Sequence, residues 1–300
     1  MISVIIPTYN GIEKGLERSI TSVLMLKNID QVIIGIDGSD DTSNELCNEL
    51  QKKDKRIKYF ENKKNIGWGK TAAICMSKVE CNRTIIHSDD DWMLPEMNNL
   101  IEFSLKNNLD LAYSKYAVGN DQTKKINIFN NPTWEKKNYI GEKDEFHDLL
   151  LHDCYIGRSI IKTEIYKNTF NLKALENLNR EFGEEFTAID YSLFLDLSSQ
   201  DSKFGYLNQI TNIWTQRASQ ETGIFYNTSG KHLGESSYLF NKYYDERKHR
   251  KDWGFLGNVF NRVKYLYTFA KKKNKKINPI YENHFKVFSK KISSLRGSNV

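Results

Sequence analysis

The chain has 300 residues, enough for one large domain or a domain with a smaller extension. Its 39% hydrophobic and 12% aromatic content fits a folded globular protein. Four cysteines (Cys47, Cys75, Cys81 and Cys154) lack metal-ligand spacing, so free thiols in a reducing cytoplasm are expected. No apolar run of about 18 residues is present to form a transmembrane helix. The net charge of +6 is unevenly placed: residues 241–300 hold 16 Lys+Arg against 4 Asp+Glu, whereas residues 1–240 hold 28 against 34. That asymmetry marks a boundary near residue 240. The acidic balance before it, with no nucleic-acid motif, argues against a nucleic-acid partner.

The N-terminal run Met1-Ile2-Ser3-Val4-Ile5-Ile6-Pro7 lacks a basic flank and reads as a first buried strand rather than a targeting segment. Residues 13–26 follow with Leu16, Ile20, Val23 and Leu24 at helical spacing. A second strand is expected at 31–36, a helix at 42–53 and a third strand at 57–61. A third helix is expected at 71–79 after the loop 65–70, and a fourth strand at 84–87. Four alternations of strand and helix predict an α/β fold with a doubly wound parallel sheet and right-handed crossovers. Ligands of such sheets sit beyond the carboxyl ends of the strands. The loops Pro7–Gly11, Asp37–Asp41 and Asp89–Asp91 should therefore converge on one crevice.

Beyond the fourth strand the pattern loosens. A helix is expected at 95–107, a strand at 109–118, an irregular stretch at 121–139 and a helix at 143–151. A helix at 190–199 and a strand near 204–207 close this half. Residues 253–270 carry an apolar stripe, and Lys271-Lys272-Lys273-Asn274-Lys275-Lys276 follows. Residues 253–276 thus suit an anionic membrane surface. The alternatives are a helix packed on the preceding domain with a solvated tail, or contact with a phosphorylated polymer.

The densest chemical signal is Ile85-Ile86-His87-Ser88-Asp89-Asp90-Asp91-Trp92-Met93-Leu94-Pro95-Glu96. Three adjacent carboxylates at a strand end offer hard oxygen ligands to Mg²⁺ or Mn²⁺ when substrate phosphates complete the shell. A solvated acidic turn capping a helix is the competing reading. His87, on the strand itself, reads as a core histidine.

Together with Val4-Ile5-Ile6-Pro7-Thr8-Tyr9-Asn10, the loop at Asp37, Asn65-Ile66-Gly67 and Asp190-Tyr191-Ser192-Leu193-Phe194-Leu195, this segment resembles family 2 glycosyltransferases of the GT-A fold. The resemblance spans residues 1–220, with a nucleotide-binding half at 1–108 and an acceptor-side half at 109–220. Residues 221–300 form a helical, basic extension. It implies a Rossmann-like, mostly parallel sheet flanked by helices. It also implies transfer of a sugar from a nucleotide-sugar donor, most often a UDP-sugar, to a hydroxyl of a glycan or lipid-linked acceptor. The usual outcome in the family is inversion at the anomeric carbon, and the setting is cell-surface polysaccharide synthesis at the inner face of the membrane.

Carried over residue by residue, the resemblance places Mn²⁺ or Mg²⁺ on Asp90 and Asp91, with Asp89 facing the donor sugar or ribose. Ser88 stands where the family often has an acid. Pro7, Thr8, Tyr9, Asn10 and Asp37 would meet the nucleotide, Asp37 accepting from the base, with Asn65 and Gly67 beside them. Lys70 would approach the diphosphate or remain a surface lysine, and Trp68 would be a lid or packing. Arg217 would touch phosphate or form a surface ion pair, and Arg158 would lie on the acceptor side. Asp190 would be the catalytic base, with Glu184 and Glu185 as fallbacks and a plain helix N-cap as the alternative. A non-catalytic nucleotide-sugar or glycan-binding protein is the competing function.

Overall fold

The computed structural model describes residues 1–120, 125–128, 138–141, 155–169, 171–183, 185–199, 202–217, 231–246, 268 and 277–297. The expected helix at 143–151, Cys154 and, apart from residue 268, the basic stretch 253–276 fall outside them.

The first half alternates as expected: β1 (Ile2–Thr8), α1 (Leu16–Leu24), β2 (Gln31–Ile36), α2 (Ser43–Lys53), β3 (Ile57–Glu61), α3 (Trp68–Ser77) and β4 (Arg83–Ile86). These are followed by β5 (Trp92–Met93), α4 (Met97–Lys106), β6 (Leu111–Asn120), β7 (Ile126–Ile128) and β8 (Tyr139–Gly141). Then come β9 (Ser159–Lys162), α5 (Thr163–Thr169), α6 (Leu172–Phe182), α7 (Ile189–Ser199), β10 (Phe204–Gln216), α8 (Lys231–Glu246) and α9 (Pro279–Gly297).

One sheet runs in the order β3-β2-β1-β4-β9-β6-β10-β5. The pairs β1/β2, β2/β3, β1/β4 and β6/β10 are parallel, and β9 is antiparallel to both its neighbours. Strand order reverses between β1 and β4, so the crevice opens beyond Thr8 and Ile86, at a topological switch point.

Every residue of β1 and β2 is buried. Sheets covered on both faces show continuous rather than alternating apolar runs, which is why both strands are read easily from sequence. Helix α1 buries Leu16, Ile20 and Val23 against Val4, Ile6 and Ile34, and Met97, Leu100 and Ile101 of α4 join the same core. On the other face α3 packs closely, because its buried side includes Ala72 and Ala73 and because Gly35 of β2 has no side chain. A Cβ on Gly35 would lie 2.6 Å from Cys75 Sγ and 2.9 Å from both Phe60 and Thr71.

Several elements differ from expectation. Helix α1 starts at Leu16 rather than 13, because Gly15 takes φ 103° and the Gly11 carbonyl accepts from the amides of Lys14, Gly15 and Leu16. Helix α3 starts at Trp68 and absorbs Lys70 into its first turn. Strand β10 continues to Gln216, with register shifts between Leu207 and Asn212. Strand β9 and helices α5 and α6 were not anticipated. Helix α6 carries ordinary signals: Asn171 Oδ1 accepts from the Lys173 amide at its start, and Gly183 takes φ 70° at its end.

The chain separates into two compact bodies. One comprises residues 1–146, 155–185 and 196–217 and contains the whole sheet; the other comprises 147–154, 186–195 and 218–300. In the second, α8 and α9 pack on each other, with Phe240 against Phe288 and Tyr238 against His284. No helix among the described residues is long and apolar enough to cross a membrane.

Gly35→Ala should destabilise the first body by about 1–3 kcal/mol through overpacking. Urea unfolding should show a lower midpoint at unchanged slope.

Candidate functional site

Three strand-end loops meet beyond β1, β2 and β4, tied by hydrogen bonds from one to the next. Asp37 N–H donates to the Thr8 carbonyl at 2.8 Å, and the Asn10 amide donates to Ser39 Oγ at 3.0 Å. Thr8 Oγ1 donates to Asp89 Oδ2 at 2.7 Å. The expected convergence of Pro7–Asn10, Asp37 and Asp89 is therefore present. Tyr9 lies exposed at the rim, with the Lys14 ammonium 5.9 Å from its ring centre.

Asp37 is buried, and its carboxylate organises a neighbouring loop. Oδ1 accepts from Asn62 Nδ2 and the Ile66 amide, and Oδ2 accepts from the Gly67 amide, each at 2.9 Å. Asn65 Oδ1 also accepts from Gly67 N–H, at 3.0 Å. Gly67 sits at φ 93°, a backbone region that disfavours side chains, and a Cβ there would lie 2.4 Å from Glu185 Oε1. Glu185, a fallback base, instead accepts from the Gly69 amide in the first turn of α3 at 3.3 Å. Glu184 lies outside the described residues. Lys70 is half-buried in that same turn.

The three adjacent acids take different environments. Asp89 is mostly buried, its side chain 13% exposed, and it lies 3.8 Å from Lys14 Nζ. Asp90 is half-exposed, and its carbonyl accepts from Arg18 Nη2 at 2.9 Å. Asp91 is fully buried: Oδ1 accepts from the Thr215 amide at 2.7 Å and Oδ2 from the Tyr155 hydroxyl. Asn212 Nδ2 donates to that hydroxyl at 3.0 Å, and the Tyr155 ring packs on Tyr116 and Trp214.

Asp91 therefore has different partners from those expected of a metal ligand. Both its oxygens are committed to β10 and Tyr155, away from solvent. Burial, with the charge of Asp90 adding, pushes its acid up to about 8. His87 is fully buried and pushed down to about 3 by burial, in keeping with a neutral core histidine.

Whether these residues suit a divalent cation depends on what Asp89 and Asp90 offer. Among the described residues, no group of three or more His, Cys, Asp or Glu side chains converges into a closed cage. Two partly buried carboxylates beside the strand-end loops nevertheless offer the oxygen donors that Mg²⁺ or Mn²⁺ takes when phosphates and water supply the rest. The acids fit such an ion.

Arg158 departs from its expected acceptor-side position. The residue is only 2% exposed, and its guanidinium stacks over Tyr113 and Tyr116 at 5.5 and 5.2 Å and donates to the Ser114 carbonyl at 3.2 Å. It holds β6 to the turn before β9. Arg217 donates to the Glu13 carbonyl at 3.3 Å, placing it beside the turn before α1. Asp190 lies half-buried in the first turn of α7, in the second body.

Sequence reading missed the role of α1. Arg18 stacks 4.6 Å over Trp92 while holding the Asp90 carbonyl. Ser19 Oγ donates to the Ser88 carbonyl at 2.9 Å, and Ser22 Oγ accepts from the Met93 amide at 3.0 Å. Ser19, a polar residue on the buried side of α1 with Leu16, Ile20 and Val23, was the available signal.

The fold and crevice define an α/β protein with a strand-end ligand site. The sequence model of Glycosyl transferase family 2 matches residues 3–170, and this chain belongs to that family. An uncharacterized glycosyltransferase of Haemophilus influenzae is 24% identical over 272 residues, covering 89% of this chain and 96% of that protein. The UDP-Glc:alpha-D-GlcNAc-diphosphoundecaprenol beta-1,3-glucosyltransferase WfgD of Escherichia coli is 29% identical over 163 residues, covering 52% of this chain and 57% of WfgD. The solved structure of S. aureus TarS 1–349 in complex with UDP-GlcNAc superposes with a TM-score of 0.63 at 14% identity, covering 99% of this chain and 92% of that one. The chain is a glycosyltransferase with a mixed α/β, GT-A-type fold.

Asp91 also predicts a pH dependence. The folded chain keeps its proton up to about pH 8, whereas the ordinary value is 3.8. Between those values the folded state binds more protons, so this residue's contribution makes stability fall as pH rises. In metal-free buffer, Asp91→Asn should flatten the slope of urea midpoint against pH across that window. The asparagine retains an acceptor for Thr215 N–H and offers Tyr155 a donor.

Proposed function

We propose that this enzyme transfers a sugar from a UDP-sugar to a hydroxyl of a glycan or lipid-linked acceptor, with inversion and with Mn²⁺ or Mg²⁺. The observation that carries the reading is the hydrogen-bonded convergence of Thr8, Asp37 and Asp89–Asp90 at the switch point of the sheet. The name of WfgD, which specifies a UDP-glucose donor and an undecaprenol-linked acceptor, and the UDP-GlcNAc complex of TarS support it.

In this reading residues 1–108 form the donor half, 109–220 the acceptor half and 221–300 an extension. The basic stretch 253–276 would contact an anionic membrane. Pro7, Thr8, Tyr9 and Asn10 line the nucleotide, Tyr9 stacking on the base at the rim. Asp37 shapes the Asn65–Gly67 loop and has acceptor capacity left on Oδ2 for the base. Lys70 and Arg217 face the diphosphate, and Lys14 joins them from beside Asp89. Asp90 holds the cation with Asp89, while Asp91 fixes the backbone that presents both. Bound there, the ion would neutralise charge on the diphosphate oxygens.

Asp190 takes the proton of the acceptor hydroxyl as its oxygen bonds to the anomeric carbon. The bond from that carbon to the diphosphate oxygen breaks, and its electron pair leaves with UDP. Attack opposite the leaving group inverts the centre.

The test is UDP release and product analysis with UDP-glucose and UDP-N-acetylglucosamine in Mn²⁺ or EDTA. Asp190→Asn should lower kcat by about 10²–10⁴-fold while leaving UDP affinity within a few-fold. Undiminished turnover in Asp190→Asn would remove the base assignment. Donor binding without any turnover in the unaltered chain would favour a binding protein.

A further inference from the structure

The second body contains a buried carboxylate that the proposed chemistry does not use. Glu235, on α8, has no exposed surface. Its Oε1 accepts from the Thr187 amide at 3.1 Å, and its Oε2 accepts from Thr187 Oγ1 at 2.8 Å and the Ala188 amide at 2.9 Å. Lys231, one turn earlier, lies 3.9 Å away. These bonds occupy the amides just ahead of α7, whose first turn holds Asp190. Amides at a helix start lack partners within the helix, and a carboxylate there also complements the helix dipole.

Burying a carboxylate is costly, and burial pushes the Glu235 acid up to about 7. The helix that carries it is itself fixed in register. Gly234 meets Tyr281 of α9 so closely that a Cβ would lie 2.2 Å from the ring, and Asn241 Nδ2 donates to the His284 carbonyl at 3.1 Å. The packing of α8 on α9 thus holds Glu235 at a set position, and Glu235 holds the entry to α7.

We propose that Glu235 is a positioning residue that caps α7 from helix α8 and fixes the placement of Asp190. This rests on the reading of Asp190 as the base. It makes the C-terminal extension part of the catalytic apparatus, as a clamp on the helix that carries the proton acceptor.

The test is a mutant cycle of Glu235→Gln and Asp190→Asn, read as UDP released from UDP-glucose or UDP-N-acetylglucosamine. Glutamine keeps the size but turns an amino group towards Thr187 N–H or Ala188 N–H. Alone, it should lower kcat by about 10–100-fold, as sub-ångström to ångström misplacement does, with donor KM nearly unchanged. In the Asp190→Asn background it should cause no further loss, because residues acting through one group are non-additive. Equal losses in both backgrounds would show a merely structural role and overturn the proposal. An inactive Asp190→Asn with a fully active Glu235→Gln would overturn it alone. A fully active Asp190→Asn would remove the base reading and the proposal together. If Glu235→Gln does not fold, Thr187→Val, which deletes one of the three bonds, should show the same pattern with a smaller loss. Independently of activity, amide hydrogen exchange at 187–188 should quicken in either variant; unchanged protection would overturn the clamp.

Discussion

The crevice depends on one buried carboxylate. Asp91 sits beneath the strand-end loops with an amide from β10 on one oxygen and a tyrosine hydroxyl on the other. Leaving either oxygen unmatched at that depth would cost about 1–3 kcal/mol, so the loop after β4 is tied to β10 and Tyr155 together. With Asp91 turned inward, Asp89 and Asp90 remain at the partly buried edge, beside Lys14 and Arg18. One acid serves the architecture, and its two neighbours are those proposed to meet the ligand.

Asp37 repeats the device on the other side of the switch point. Its three donors come from Asn62, Ile66 and Gly67, so the loop before α3 is shaped by a side chain from the end of β2. Gly67 adopts a backbone conformation that suits glycine, and Glu185 fills the space its missing side chain leaves. The walls of the site are thus set by buried acids satisfied by backbone amides, on strands rigidly packed in a two-faced core.

Much of this was legible in the sequence. Strands β1 and β2 announce themselves because burial on both faces leaves continuous apolar runs, and the strand-loop-helix order fixes where the loops converge. Other features were hidden for physical reasons. Adjacent carboxylates are chemically identical in sequence, and only the turn of the backbone decides that Asp91 points inward while Asp90 does not. Arg158 looked like a cation for a ligand because its stacking partners, Tyr113 and Tyr116, lie more than forty residues away. Strand β10 runs well past the strand expected near 204–207: Thr211, Asn212 and Thr215 are polar, yet all three are buried. The cap supplied by Glu235 joins positions 47 and 48 residues apart, beyond the reach of local patterns. Helix α6 is a different case: Asn171 and Gly183 were sufficient local signals of its ends.

The central claim is that Asp90, with Asp89, holds the cation that binds the diphosphate, while Asp91 only supports them. Calorimetric titration of UDP in Mn²⁺ and in EDTA, on the unaltered chain, Asp90→Asn and Asp91→Asn, tests it most directly. The account predicts that UDP binds at least about tenfold more tightly with Mn²⁺, a difference of about 1.4 kcal/mol. That gain should vanish in Asp90→Asn and persist in folded Asp91→Asn. UDP affinity indifferent to metal, or a metal dependence lost in Asp91→Asn and retained in Asp90→Asn, would contradict it.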